Sequence, residues 1–288
     1  MTTRRNFLLG AAALAASGPA AFAQRHIPLG LQLYTVRADL AKDYEGTMKL
    51  VKAAGVREVQ ANLTMAGKNS ADQRKLYDAM GLKWESIHAG GDALRKTPEA
   101  TIAEAKSVGI KNITCSFPLY PVDRGAIMSG PGLDGWKQNA DAFNKIGAMC
   151  KAAGMTFNHH NHNIEFRKVG DVVPLDYLIQ NTDPALVGYE MDIGWVIAAG
   201  ADPVAYLTKY PKRFASVHIK DLKADGIPNT NGKMDSAIIG QGIADYTKIL
   251  PAVKKAAVKT AFLEIEEPYV PSPIGMVQAS AQYLKGKL

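Results

Sequence analysis

From Ile27 onward the chain alternates between short apolar runs and longer segments with helical spacing, without a break in composition. The runs are IPLGLQLY, VREVQAN, LKWESIHA, NITCSF, MTFNHHNH, LVGYEMDI, FASVHIKD and TAFLEIEE, eight in all. Between them, TMKLVKAAG (47–55), ADQRKLYDAMG (71–81), ATIAEAKSVG (100–109) and NADAFNKIGAMCKAAG (139–154) each close on the glycine that ends a helix. Strand followed by helix, repeated eight times, indicates parallel βαβ units and an α/β fold. Eight such units match a closed (β/α)8 TIM barrel better than an open doubly wound sheet, and no G-x-G-x-x-G or Walker loop follows the first strand. A single barrel domain over residues 24–288 is therefore expected. Two long stretches, Pro118 to Gly135 after the fourth strand and Lys223 to Ile238 after the seventh, are expected to cover the active end.

The first residues, TRRNFLLGAAALAASGPAAFAQ, stand apart from this pattern. Twin arginines Arg4 and Arg5 precede an apolar run from Phe7 to Ala16, and Ala21-Phe22-Ala23 offers a small-residue cleavage site before Gln24. The run is shorter than the roughly 20 residues that span a bilayer, so an export signal over residues 1–23 is expected rather than a membrane anchor. The paired arginine points to the twin-arginine route, hence to a periplasmic or secreted protein with no membrane insertion once the signal is gone. Losing both arginines lowers the formal charge from +7 to +5. The remaining lysines are scattered along helical segments, which argues for a solvated surface and against a nucleic-acid partner. Cys115 and Cys150 make no disulfide framework and are read as buried free thiols, with a single bridge as the alternative.

Barrel chemistry is built at the carboxyl ends of the strands. Those ends carry Gln32 and Tyr34, Asn62, His88, Ser116, His160 and His162, Glu190 and Asp192, His218 and Lys220, then Glu264 and Glu266. With His159, five of the six histidines fall on this one rim, and only His26 lies elsewhere. Asp192, His218 and Glu264 come from the sixth, seventh and eighth strands, which are neighbours around a barrel. A mixed carboxylate–imidazole set suits Mn²⁺, Zn²⁺, Fe²⁺ or Co²⁺, with Mg²⁺ also admitted, better than Ca²⁺. Alternation along the fifth strand puts His160 and His162 on one face and His159 on the other, against the helix layer.

The motifs YEMDIGWVIAAGADP, RFASVHIKD, IGQGIADY and FLEIEE, with HHNHNIEF before them, resemble the xylose-isomerase-like sugar phosphate isomerase/epimerase superfamily. The resemblance runs over essentially the whole chain after the signal. It implies a TIM barrel with one divalent metal ion held by a carboxylate from strand five, an aspartate from strand six, a histidine from strand seven and a glutamate from strand eight. Asp192, His218 and Glu264 match directly. At strand five, many relatives have a glutamate where this chain has His160. Glu165, five residues later, is preferred as the missing carboxylate because it balances the metal charge, with His160 as the alternative. The same superfamily includes DNA-repair endonucleases that bind three zinc ions and have a histidine three residues after the aspartate. Here that position is Trp195, which argues against a trinuclear nuclease.

A metal bridging a sugar carbonyl and the adjacent hydroxyl acidifies the proton between them, and its removal gives an ene-diolate. Return of the proton to the other face epimerises, return to the neighbouring carbon isomerises, and loss of a β-substituent gives elimination. His162 or His160 is the expected base, Glu266 or Glu190 the alternative, and Lys220 an electrophilic helper. Trp195 is expected to offer an apolar face to a sugar ring, Arg167 to contact acidic groups, and His88 and Asn62 to line the substrate site. The partner is therefore a sugar, keto-sugar or glycoside. An isomerase or epimerase is the first reading. A 3-keto-glycoside lyase, hydrolase or dehydratase with the same machinery is the second, and a non-catalytic sugar-binding barrel the third. A homodimer is expected from the resemblance alone.

Overall fold

The computed structural model describes residues 26–288, so the export signal expected over residues 1–23 lies outside the described residues. Each of the eight apolar runs supplies one strand of a closed parallel barrel. The barrel strands are β1 (Leu29–Gln32), β2 (Glu58–Ala61), β3 (Lys83–Ala89), β4 (Asn112–Cys115), β5 (Thr156–His160), β6 (Val187–Asp192), β7 (Phe214–Ile219) and β10 (Thr260–Leu263). Two further short strands, β8 (Asp221–Leu222) and β9 (Ser236–Ala237), form an antiparallel ribbon above them. Closure is made by β1, which pairs with β2 on one side and β10 on the other; Leu31 stands opposite both Val59 and Leu263.

The four helices read from the sequence are Tyr44–Ala53, Ser70–Ala79, Pro98–Ser107 and Leu133–Ala152. All begin ahead of their first periodic residue, and in the first three a polar or proline start accounts for it. Asp43 accepts the Gly46 N–H, Asn69 accepts the Asp72 N–H, and Pro98 opens the third helix. The longest ends before Gly154, whose φ of 77° is the left-handed cap expected there.

Alternation along the strands separates two environments. Outward residues such as Leu31, Val59, Ile113, Phe157, Tyr189, Val217 and Leu263 are buried against the helices and form the continuous apolar core. Inward residues are largely polar: Gln32, Gln60, Ser86, His88, Glu190, Ser216 and His218 bond to one another across the barrel. Phe262 is the large apolar exception. Its ring lies over Gly30, where a Cβ would come within 2.4 Å of it. Cys115 and Cys150 are buried free thiols, and burial pushes both up to about 12.

The two covering segments are more ordered than their composition suggests. The first contains the helix Arg124–Ser129, and the second ends in β9, paired to β8. They are tied to each other and to β5. Arg167 donates to Met128 O at 2.8 Å, to Thr230 Oγ1 at 3.2 Å and to Thr230 O. Asn163 donates to Asn229 and accepts the Gly232 N–H.

Asp221 clamps the turn after β9. Its carboxylate accepts the N–H groups of Leu222, Gly240, Gly242 and Ala244 at 2.9–3.0 Å. Replacing it with asparagine removes the charge and turns one acceptor into a donor facing buried N–H groups. Asp221→Asn is therefore expected to cost about 2 kcal/mol, roughly 4–8 °C in Tm for a chain of this size, measured by thermal unfolding.

Candidate metal centre

Four side chains from adjacent strands converge at the carboxyl end. One donor atom from each of His160, Asp192, His218 and Glu264 lies within 4.8 Å of the others, and all four residues are buried. The register explains this meeting: Asp192 stands opposite His218 across the β6–β7 ladder, and His160 ends β5 on the other side of β6. His218 Nδ1 is 2.8 Å from Glu264 Oε2 and 3.7 Å from Asp192 Oδ2, and His160 Nε2 is 3.9 Å from Asp192 Oδ2. These distances bracket the edge of about 3.4 Å expected of a tetrahedron with metal–ligand bonds near 2.0–2.1 Å.

Charge also fits a cation. Lys220, with no exposed side-chain surface, places Nζ 2.8 Å from both Asp192 Oδ2 and Glu264 Oε2 and 2.6 Å from Glu266 Oε1. Burial opposes its charge, yet Asp192, Glu264 and Glu266 more than offset that and hold it protonated. One ammonium does not balance three carboxylates with Glu190 beside them, so the site draws protons to itself. Burial would lower His218, but Glu190 and Glu264 on its two sides push it up to about 10. Burial raises Asp192 to about 6 against the opposing pull of Lys220. Burial also works against the charges of Glu264 and Glu190, but Lys220 with His218 holds Glu264, and His218, His160 and His88 hold Glu190, well below the usual carboxylate range. A buried imidazole between two carboxylates needs a positive charge on it or beside it. The donor set therefore fits a divalent ion.

Glu165 does not join this set. It lies in the short 3-10 turn Ile164–Phe166 and is fully buried on the far side of β5. There Oε1 is 3.1 Å from His159 Nε2 and Oε2 accepts the His162 N–H at 3.0 Å. The turn carries the carboxylate back under the strand end instead of over it, and His160 stands among the donors in its place. His159 stacks on Phe143 in the helix layer, with ring centroids 4.7 Å apart.

A cavity of about 530 Å³ opens beside the donor set, bordered by Asn62, His88, Phe117, His162, Glu264 and Glu266 among others. His162 makes no side-chain hydrogen bond among the described residues, and its Nδ1 is buried without a partner. Its ring lies 5.0 Å from that of His160 and 5.4 Å from that of Trp195. Burial, with His160 and Lys220 adding to it, holds its basicity well below the ordinary value, so the imidazole is neutral. His160, lowered to about 3 chiefly by burial, is also neutral.

Two expected substrate contacts lie elsewhere. Arg167 is spent on loop carbonyls and does not border the cavity. Trp195 is buried behind His162, packed with Leu222, Ile227 and Met234 under the second covering segment. Among residues not singled out from the sequence, Gln60, Ser86 and Ser216 support the site from inside the barrel. Their only signal was a polar residue at an inward strand position.

Fold and donor set together define a TIM barrel with a metal-type centre at the carboxyl ends of its strands. The family model described as xylose isomerase-like TIM barrel matches residues 48–287, and the chain belongs to that family. Among curated relatives, an inosose dehydratase from Clostridium beijerinckii is 32% identical over 112 residues, 39% of this chain and 37% of that protein. The chain thus spans less than two-fifths of the length of this relative. Among solved structures, a sugar phosphate isomerase/epimerase from Parabacteroides distasonis ATCC 8503 superposes with a TM-score of 0.74 at 23% identity, over 94% of this chain and 98% of that one. The IOLI protein, solved with a zinc atom, gives a TM-score of 0.67 at 14% identity over 90% and 97% of the two chains. At these identities the structural likenesses show the fold. No helix among the described residues is long and apolar enough to cross a membrane.

Two outcomes are expected. Glu165→Gln should leave divalent-ion affinity close to wild type while His160→Ala weakens it by about tenfold or more, as read by competition with a chelator. The stabilisation contributed by protonated His218 is complete below its ordinary value of 6.5 and is lost as the pH rises through about 10. An ion held by the same nitrogen displaces that proton, so binding should release protons and weaken as the pH falls from 10 toward 6.5. Calorimetry in buffers of different ionisation enthalpy counts the protons released.

Proposed function

We propose that this chain is a divalent-metal-dependent enzyme that removes the proton next to the carbonyl of a sugar or keto-sugar, acting as an isomerase or epimerase. The observation that carries the reading is His162: a neutral imidazole, without a side-chain partner, facing the cavity beside the donor set. His160, Asp192, His218 and Glu264 would hold the ion, which supplies Lewis-acid polarisation of the substrate's oxygen atoms. His162 takes the proton from carbon. Lys220, fixed by three carboxylates, keeps a positive charge next to where negative charge develops. Glu266 borders the same cavity from β10, three places round the barrel from β5, and bonds Lys220. Two acid–base groups on different walls suit return of the proton at a new position or face. His88, Asn62 and Phe117 line the remaining wall. The zinc atom in the IOLI protein and the sugar phosphate isomerase/epimerase name of the Parabacteroides structure support this reading.

A dehydratase or lyase is the second reading, favoured by the inosose dehydratase relative. It uses the same first step, with a β-substituent leaving in place of proton return. The leader-like residues Arg4, Arg5 and 21–23 support, as part of this proposal, a reaction outside the cytoplasm, which would favour unphosphorylated sugars, keto-sugars or glycosides.

The test is solvent deuterium exchange into a panel of keto-sugars by the metal-loaded protein. Exchange is expected in the wild type, and a fall of about a hundredfold or more in His162→Ala with metal affinity retained. Exchange without a released fragment supports the isomerase or epimerase, and loss of water or aglycone supports the lyase. Absence of exchange across the panel, with the metal bound, would sink both readings and leave a binding protein.

A further inference from the structure

Beneath the four donors, Glu190 receives hydrogen bonds from four other strands. Its side chain has no exposed surface. Oε2 accepts from Gln60 Nε2 at 2.9 Å and from Ser216 Oγ at 2.7 Å. Oε1 lies 2.8 Å from His88 Nε2, 3.2 Å from His160 Nδ1 and 3.0 Å from His218 Nε2. Five groups able to donate therefore converge on one carboxylate.

The orientation of the two ligand histidines follows. An imidazole that donates from one nitrogen presents a lone pair at the other. His218 Nε2 faces two acceptors, Glu190 Oε1 and Gln60 Oε1, the second at 2.8 Å. The Gln60 amide is itself oriented, because its oxygen takes the Gln32 amide while its nitrogen reaches Glu190. Nε2 of His218 thus carries hydrogen, and Nδ1 is the nitrogen turned toward Glu264 and Asp192. In His160 the roles of the nitrogens are exchanged: Nδ1 faces Glu190 and Nε2 faces Asp192.

We infer that Glu190 is a positioning residue. By accepting the inward N–H of both His160 and His218, it aims the opposite nitrogen of each at an ion shared with Asp192 and Glu264. This rests on the proposed metal reading. The same geometry admits a rival, since His88, His160, Glu190 and His218 also bring four donor atoms within 4.8 Å of one another. Separations of 2.8–3.2 Å from the carboxylate oxygen to the three nitrogens favour hydrogen bonds. All three are shorter than the edge of about 3.4 Å that a tetrahedral ion with bonds near 2.0–2.1 Å requires, whereas the separations of 2.8, 3.7 and 3.9 Å in the upper set lie on both sides of it.

The test titrates zinc, against a competing chelator, into wild-type, Glu190→Gln and His88→Ala protein. A second measurement reads the imidazole tautomer of His160 by ¹⁵N NMR in the metal-free wild type and in Glu190→Gln. Expected are one zinc per chain, affinity weaker by about ten- to hundredfold in Glu190→Gln, and one zinc still bound by His88→Ala. The His160 proton should sit on Nδ1 in the wild type and leave it in Glu190→Gln. Unchanged affinity in a folded Glu190→Gln protein, or a wild-type His160 proton on Nε2, would overturn the inference. Two zinc ions per wild-type chain, one of them lost in His88→Ala, would overturn it in favour of the lower metal site. A wild type that takes up no zinc, manganese or cobalt would bring down the proposed function, while the tautomer would still decide the role of Glu190.

Discussion

In a closed barrel of parallel strands, alternate side chains must face a narrow interior from which bulk water is excluded. Such interiors are commonly filled with branched apolar residues. Here the inward positions carry amides, hydroxyls, imidazoles and a carboxylate, each of which would cost about 1–3 kcal/mol if left unpaired. The barrel meets this by chaining them: Gln32 donates to Gln60, which donates to Ser86 and Glu190, which takes Ser216 and the histidines. Hydrophobic stabilisation is left to the layer between sheet and helices, where Tyr77, Phe143, Phe157, Tyr189 and Phe214 are fully buried. That division of labour lets the interior be chosen for chemistry without emptying the core.

The rim adds net charge to this polar interior, and Lys220 shows how it is tolerated. Burying a lysine costs several kcal/mol unless charge of the opposite sign is close by. Three carboxylates meet its ammonium, and its stem runs over Gly194, where a Cβ would come within 2.7 Å of it. The backbone beyond is fixed as well. Tyr246 donates to the Lys220 carbonyl, and Asp221, the next residue, gathers the turn from Gly240 to Ala244. The Glu266 N–H then donates to the Ser236 hydroxyl of β9 at 3.0 Å, which holds Glu266 beside Lys220. The Lys-Asp pair of VHIKD thus points one charge into the site and uses the other to brace the loop around it.

Period and residue type made much of this readable from the sequence. Switches between strand-like and helical spacing located all eight strands, and polar residues at their carboxyl ends located Asp192, His218, Glu264 and Lys220. Alternation also separated His159, stacked on Phe143, from His160 among the donors. What failed was the reading of residues whose direction is set by irregular backbone or distant segments. A three-residue turn sends Glu165 behind the strand, the covering segments occupy Arg167, and a loop some thirty residues away in sequence buries Trp195. Glu190 was visible only as a strand-end acid. Its partners lie on β2, β3, β5 and β7, and only barrel closure brings them to one carboxylate.

Those covering segments also bear on the chemistry, through solvation. His162 is a weak base chiefly because it is buried, and the burial comes from Phe117 on one side and Trp195 on the other. Trp195 is held down by Ile227 and Met234 of the second segment, which Asn163 and Arg167 fasten to β5 and to the first. Opening either segment would hydrate the imidazole, raise its basicity and weaken the attraction between Lys220 and any anion beside it. Kept closed, the segments hold a neutral imidazole at the cavity, with the buried Lys220 ammonium fixed by Asp192 and Glu264. For the reaction proposed above, that combination would match the anion left when a carbon-bound proton passes to His162 better than it matches a neutral sugar, which is the condition for stabilising a transition state more than a ground state.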